Sequence, residues 1–111
     1  MRKAKKACVL SATFLCIGVS SAIAESPNMY IAWADWNADQ NACVQRASGK
    51  MRDTGFTTRF EVVNNRTIYG MRGDYTAGIR CAADKKIVFF VVAGPEVTQA
   101  GRYNDSLKEG F

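Results

Sequence analysis

The chain predicts an α+β domain: a mostly antiparallel sheet of about five strands, one main helix packed on it, and one disulfide. Three observations point there. Apolar segments that alternate or run continuously are separated by turns of hairpin length. One segment, between residues 37 and 55, switches to the helical period. Only Cys43 and Cys81 remain once an N-terminal export signal is set aside.

The signal occupies residues 1–24. Arg2, Lys3, Lys5 and Lys6 form a basic start, residues 7–19 are apolar, and Ala22-Ile23-Ala24 has the small-residue cleavage pattern. Cys8 and Cys16 leave with it. Leu15 precedes Cys16 where a lipid-attachment motif needs a small residue, so no lipid anchor is expected. Residues 25–111 then form one soluble domain, in a Gram-negative periplasm or outside the cell. Such a compartment is oxidising and favours a Cys43–Cys81 bond. Of the 15 Lys and Arg, four precede residue 25, as do none of the 10 Asp and Glu, which leaves 11 against 10 and a net charge of +1. The basic headline charge of +5 belongs to the signal, so nucleic acid and anionic membrane are not expected partners.

The elements follow in order. Residues 29–36 are apolar and aromatic apart from Asp35 and predict a strand. Asn37 predicts an N-cap, with Gln40 completing a capping-box pattern, and Cys43, Val44, Ala47 and Met51 form one helical stripe. Gly55 predicts a C′ glycine with Phe56 folding back on Met51. Residues 57–63 alternate, with Thr58, Phe60 and Val62 on one face and Arg59 and Glu61 on the other. Asn64-Asn65 predicts a turn, 67–71 a short strand and Arg72-Gly73-Asp74 a second turn. In 75–81, Tyr75, Ala77, Ile79 and Cys81 share a face opposite Thr76, Gly78 and Arg80. Residues 83–85 turn into 87–93, a strand apolar on both faces. Gly94-Pro95 ends it, with Pro95 expected at the first position of a final helix whose stripe is Val97, Gly101, Asn104 and Leu107. The order is β-α-β-β-β-β-α. It places Cys43 on the inner stripe of the helix and Cys81 on an apolar strand face, so the two can join helix to sheet.

Chemistry is thin. The chain has no histidine, which removes histidine-based nucleophile pairs, histidine general bases and most zinc sites. Ser26, Ser48 and Ser106 lie in no nucleophile motif. Asp35, Asp39, Glu61 and Asp74 are the acids a glycoside-cleaving pair would draw on, but they fit solvated surface better. No calcium-loop pattern occurs. Arg72-Gly73-Asp74 matches a tripeptide recognised by cell-surface adhesion receptors and is better explained as a tight turn. Gly70-Met71-Arg72-Gly73 matches the G-x-x-G of a nucleic-acid-clamping loop, but such a loop lies between helices and this one follows a strand. Asn65-Arg66-Thr67 and Asn104-Asp105-Ser106 match glycosylation sequons by pattern alone. No catalytic residue, metal or cofactor is expected.

Two features suggest binding. Trp33 and Trp36 point to opposite faces of a regular strand, and the expectation is one in the core and one covering a sheet edge. The doubly apolar strand needs either cover by the final helix, the favoured expectation, or a partner on its second face. One of Phe89 and Phe90 points away from the main helix, with Tyr69 and Met71 as candidate neighbours and Gly78 leaving space for a ring. The candidate binding residues are therefore Trp33, Trp36, Tyr69, Met71, Phe89 and Phe90.

The run Tyr75-Thr76-Ala77-Gly78-Ile79-Arg80-Cys81, followed by Val91-Val92-Ala93-Gly94-Pro95 and preceded by Cys43-Val44 and Arg46-Ala47, resembles a pattern in small exported bacterial proteins of unknown function. Those are one signal peptide and one disulfide-bearing domain of this size. The resemblance implies a fold and no activity. The expected role is a non-enzymatic protein-interaction module, inhibitor-like, immunity-like or self-associating. The alternative is a module that binds a small ligand or cell-envelope polymer through an exposed tryptophan.

Overall fold

The alternation of apolar residues becomes five strands: β1 (Asn28–Asp35), β2 (Thr58–Val63), β3 (Thr67–Arg72), β4 (Tyr75–Ala82) and β5 (Ile87–Gly94). The computed structural model describes residues 26–111. The expected signal at 1–24, with Cys8, Cys16 and the cleavage boundary at Glu25, lies outside the described residues. All strand pairs are antiparallel, in the order β1-β5-β4-β3-β2. Two helices complete the chain, α1 (Gln40–Asp53) and α2 (Val97–Lys108).

Helix α1 starts two residues later than the sequence suggests. Its N-cap is Asp39, whose carboxylate accepts from the Ala42 amide at 2.7 Å. Asn37 is displaced from that role because Trp36 is held at both ends. Its backbone N–H donates to Lys86 O and its indole N–H to Asp39 O, each at 3.0 Å. Gln40 is free of the capping box and works as a tether: its amide donates to Asn65 O and Cys81 O and accepts from the Ala83 N–H. The buried stripe is Cys43, Val44, Ala47 and Met51, as the spacing requires. The helix ends on Gly55 at φ 86°, with Gly55 N–H on Arg52 O and Phe56 N–H on Met51 O, the two bonds of a Schellman ending. Cys43 and Cys81 are bonded, with Cα atoms 6.0 Å apart, which joins α1 to the central strand.

Two turn details also depart from the sequence pattern. In β2 the pairs Thr58–Met71 and Glu61–Tyr69 leave Arg59 and Phe60 opposite Gly70 alone, a bulge with Arg59 at φ 53°. The bulge moves Thr58 off the face it was expected to share with Phe60 and Val62. At the start of α2 the N-cap is Glu96, accepting from Gln99 N–H at 3.0 Å, so Pro95 precedes the cap rather than opening the helix. Asn28 Nδ2 donates to Pro95 O at 3.0 Å and holds that peptide outside the helix. The buried face of α2 is Ala100, Gly101, Asn104 and Leu107; Val97, expected in the stripe, is exposed.

The largest correction concerns where α2 goes. It was expected to cover the second face of β5, and it packs instead beside α1, over β1 and β5, on the same side of the sheet. The dimensions explain this. Five strands spaced about 4.8 Å apart are roughly 19 Å wide, whereas one helix with side chains is about 10–12 Å across. Helix α1 covers the β3–β4 half, and without α2 the inner faces of β1 and β5 would stay wet. Gly101 lets the helix approach: a Cβ there would sit 3.2 Å from the Tyr30 ring. The space between helices and sheet is filled by Phe56, Ile68, Ile79, Val88, Phe90, Val92 and Leu107, all fully buried. Tyr103 packs edge-on against Phe56 and Tyr75, and Phe111 against Phe90.

Candidate interaction surface

The register assigns every strand residue to a face. Cross-strand partners in an antiparallel sheet share a side, so the outer face, opposite both helices, can be read as rows. One row is Thr58, Met71, Thr76, Ala93 and Met29. The next is Glu61, Tyr69, Gly78, Val91 and Ile31. The third is Val63, Thr67, Arg80, Phe89 and Trp33, and a short fourth holds Ala82, Ile87 and Asp35. Most of these positions are apolar. Trp33 is 62% exposed, Ile31 61%, Met29 57%, Tyr69 44% and Phe89 42%. Three row intervals of about 6.8 Å and four strand intervals of about 4.8 Å give a plan area on the order of 400 Å². Contiguous exposed apolar patches of a few hundred Å² on a soluble protein are often functional.

The six candidate residues separate cleanly. Trp33, Tyr69, Met71 and Phe89 share the outer face, with Trp33 and Phe89 directly paired across β1 and β5. Trp36 and Phe90 do not belong to it. Trp36 is 7% exposed and packs with Phe111 at a ring distance of 5.8 Å, under the Arg46 guanidinium. Phe90 is fully buried, because its partner across β4 is Ile79 on the inner face, while Phe89 is paired with Arg80 on the outer. Both are core residues and are withdrawn as surface candidates. Met29, Ile31 and Val91 complete the patch without having been singled out. Their signal was present: Met29 and Ile31 stand in the same period-two register as Trp33.

The centre of the face is a shallow groove of about 160 Å³ bordered by Ile31, Thr67, Tyr69, Gly78, Arg80, Phe89 and Val91. Gly78 forms its floor. A Cβ at that position would stand 3.4 Å from the Tyr69 ring and from Val91 Cγ1, so the missing side chain is what leaves the depression. Arg80 closes one end, with Nη1 donating to Thr67 Oγ1 at 3.1 Å.

The acids that could have supplied chemistry are dispersed. Asp39 caps α1, Asp35 ends β1, Glu61 stands on the bulged edge strand, and Asp74 lies in the hairpin turn after Gly73. Among the described residues no three of His, Cys, Asp and Glu converge as a metal site would need. Arg72 is committed to structure: its Nη1 donates to Thr54 O at 2.7 Å and its guanidinium lies 4.8 Å from the Tyr103 ring centre. Gly73 at φ 56° is the turn glycine of that hairpin. Gly70 has no room for a side chain, because a Cβ would fall 2.2 Å from Phe56 O.

No protein-family model matches this chain, and no curated protein matches it significantly. Fold and surface therefore define the class: a disulfide-joined α+β domain whose antiparallel sheet, among the described residues, is helix-covered on one face and open on the other.

Proposed function

We propose that this chain is an exported, non-enzymatic interaction module that docks a protein partner on the outer face of its sheet. One observation carries the proposal: both helices pack on the inner face, so the apolar rows around Phe89 and Trp33 have no intramolecular cover among the described residues. Export is supported by the signal pattern of residues 1–24, by the Cys43–Cys81 bond, and by compatibility with a compartment that oxidises thiols. Among the described residues no helix is long and apolar enough to cross a membrane. A small, rigid domain of this kind suits an inhibitor, an immunity-type protein or a self-associating one.

The test is capture from envelope extract with the purified exported protein, compared across two variants. Phe89→Asp should lose a partner that wild type retains, and Arg102→Glu, a charge change on the exposed side of α2, should keep it. Equal capture by all three would remove the outer face from the account. A second proposal rests on Trp33 alone, whose exposure next to Phe89 makes an aromatic platform for an envelope polymer. A fluorescence shift with cell-wall fragments that disappears in Trp33→Leu would favour it.

A further inference from the structure

The outer face carries one cation near its middle. Arg80 stands on β4, the central strand, with Phe89 across one flank and Thr67 across the other. The acids of this face, Glu61 and Asp35, lie on the two edge strands, two strands from Arg80 and one row removed. By strand geometry that is about 12 Å at the backbone. Among the described residues the side-chain partner of the guanidinium is a neutral hydroxyl, that of Thr67. An arginine presents a planar guanidinium fork matched to a carboxylate.

Next to this cation is the groove over Gly78. Its volume of about 160 Å³ decides what it can hold. Pockets that enclose a small ligand run to roughly 300–1,000 Å³, so this one accepts a side chain rather than a whole molecule. The face as a whole spans on the order of 400 Å² in plan, a small footprint for the roughly 800 Å² of accessible surface that each partner gives to a standard stable interface. A second copy of the chain is therefore not the natural occupant, and a short segment is.

The geometry points to an acidic peptide segment of a partner protein as the occupant, with an aromatic or aliphatic side chain over Gly78 and an adjacent Asp or Glu carboxylate on Arg80. This rests on the outer face being the docking surface. The carboxylate makes a charge-assisted, two-pronged hydrogen bond, and the apolar side chain seals Tyr69, Val91 and Phe89 from water. A neutral or basic segment would cover Arg80 without pairing it, and a desolvated unpaired charge is costly. The groove supplies affinity and Arg80 supplies the choice of partner.

The test is selection of a random heptapeptide display library on the disulfide-bonded exported protein, followed by titration of the enriched peptides. Enriched sequences should carry Asp or Glu within two residues of an aromatic or aliphatic side chain. Their Kd should rise at least tenfold in Arg80→Gln and in Gly78→Val, with melting temperatures near wild type; if Gly78→Val does not fold, Arg80→Gln carries the comparison. Binding lost in Phe89→Asp but unchanged in Arg80→Gln, or enrichment without acidic residues, overturns the acidic segment and leaves the docking surface standing. Binding indifferent to all three changes overturns both. No enrichment, with a dimer mass abolished by Phe89→Asp, would make the occupant a second copy, and no enrichment with a monomer would equally overturn the inference.

Discussion

Phe89 and Phe90 are neighbours on one strand, yet Phe89 is 42% exposed and Phe90 fully buried. The composition of β5 does not distinguish its two sides; what lies against them does. On the inner side the strand meets α2 and, at Phe90, the Phe111 ring. On the outer side, among the described residues, it meets its own neighbouring strands. The contrast shows that an apolar strand face is not automatically a core face. A domain this small has enough helix to cover one side of a five-strand sheet, and the second side remains as a surface.

If the inner face is the structural one, changes there should be costly, and the disulfide is the first place to test it. Cys43→Ala opens a bond spanning a sequence separation of 38 residues, for which the chain-entropy estimate is about 4 kcal/mol. Urea unfolding should show a loss of that order, and Cys81 should become reactive to thiol reagents on unfolding. A loss below about 1 kcal/mol would mean that packing alone holds α1 to the sheet.

The second test is Gly70→Ala, a single methyl on the inner side of β3. Its Cβ would meet Phe56 O at 2.2 Å, a backbone atom that cannot rotate away. Overpacking of this kind costs about 1–3 kcal/mol, and the upper end is expected. Thermal unfolding at wild-type temperature would show that the Phe56 corner is looser than its contacts imply. Gly55→Val should have a smaller effect, on the order of 1–2 kcal/mol, because φ 86° is strained for a β-branched residue. Its side chain would lie beside the Arg72 side chain, at 3.4 Å, rather than against backbone. A neutral result would place the stability of the α1 ending in the Phe56 contact and not in the glycine.

Much of this fold was legible in the residues. The stripe of α1, its Gly55 ending and the alternation of β4 follow from local spacing, which a sequence displays directly, and the pairing of Cys43 with Cys81 follows from their being the two cysteines outside residues 1–24. The beginnings of the helices were less so. Asp39 and Glu96 outcompete Asn37 and Pro95 because distant partners, Lys86 and Asn28, hold the preceding residues. The β2 bulge leaves no period of its own to read. The position of α2 departs from the sequence expectation for a related reason: β5 reads as needing cover on its second face, and the weak stripe of α2 does not display which face of the sheet the helix takes. The missing side chain at Gly101 is what lets the helix seat against Tyr30. At the candidate surface, Trp33, Tyr69, Met71 and Phe89 could be nominated by type. Choosing Phe89 over Phe90, and Trp33 over Trp36, required the register across three strands. Arg80 was visible only as the polar alternate of β4, since its isolation depends on residues far away in the chain.

The measurement that bears most directly on the two-faced sheet is the stability of Phe89→Asp beside Phe90→Asp, by urea unfolding of the oxidised protein. A carboxylate at Phe90 would be buried without a partner, and that variant should fail to reach a cooperative folded state. The same change at Phe89 places the charge in solvent beside Arg80 and should leave stability within about 1 kcal/mol of wild type. Comparable losses in both variants would contradict the account, since they would mean that the outer face is core, covered by something the present fold does not include.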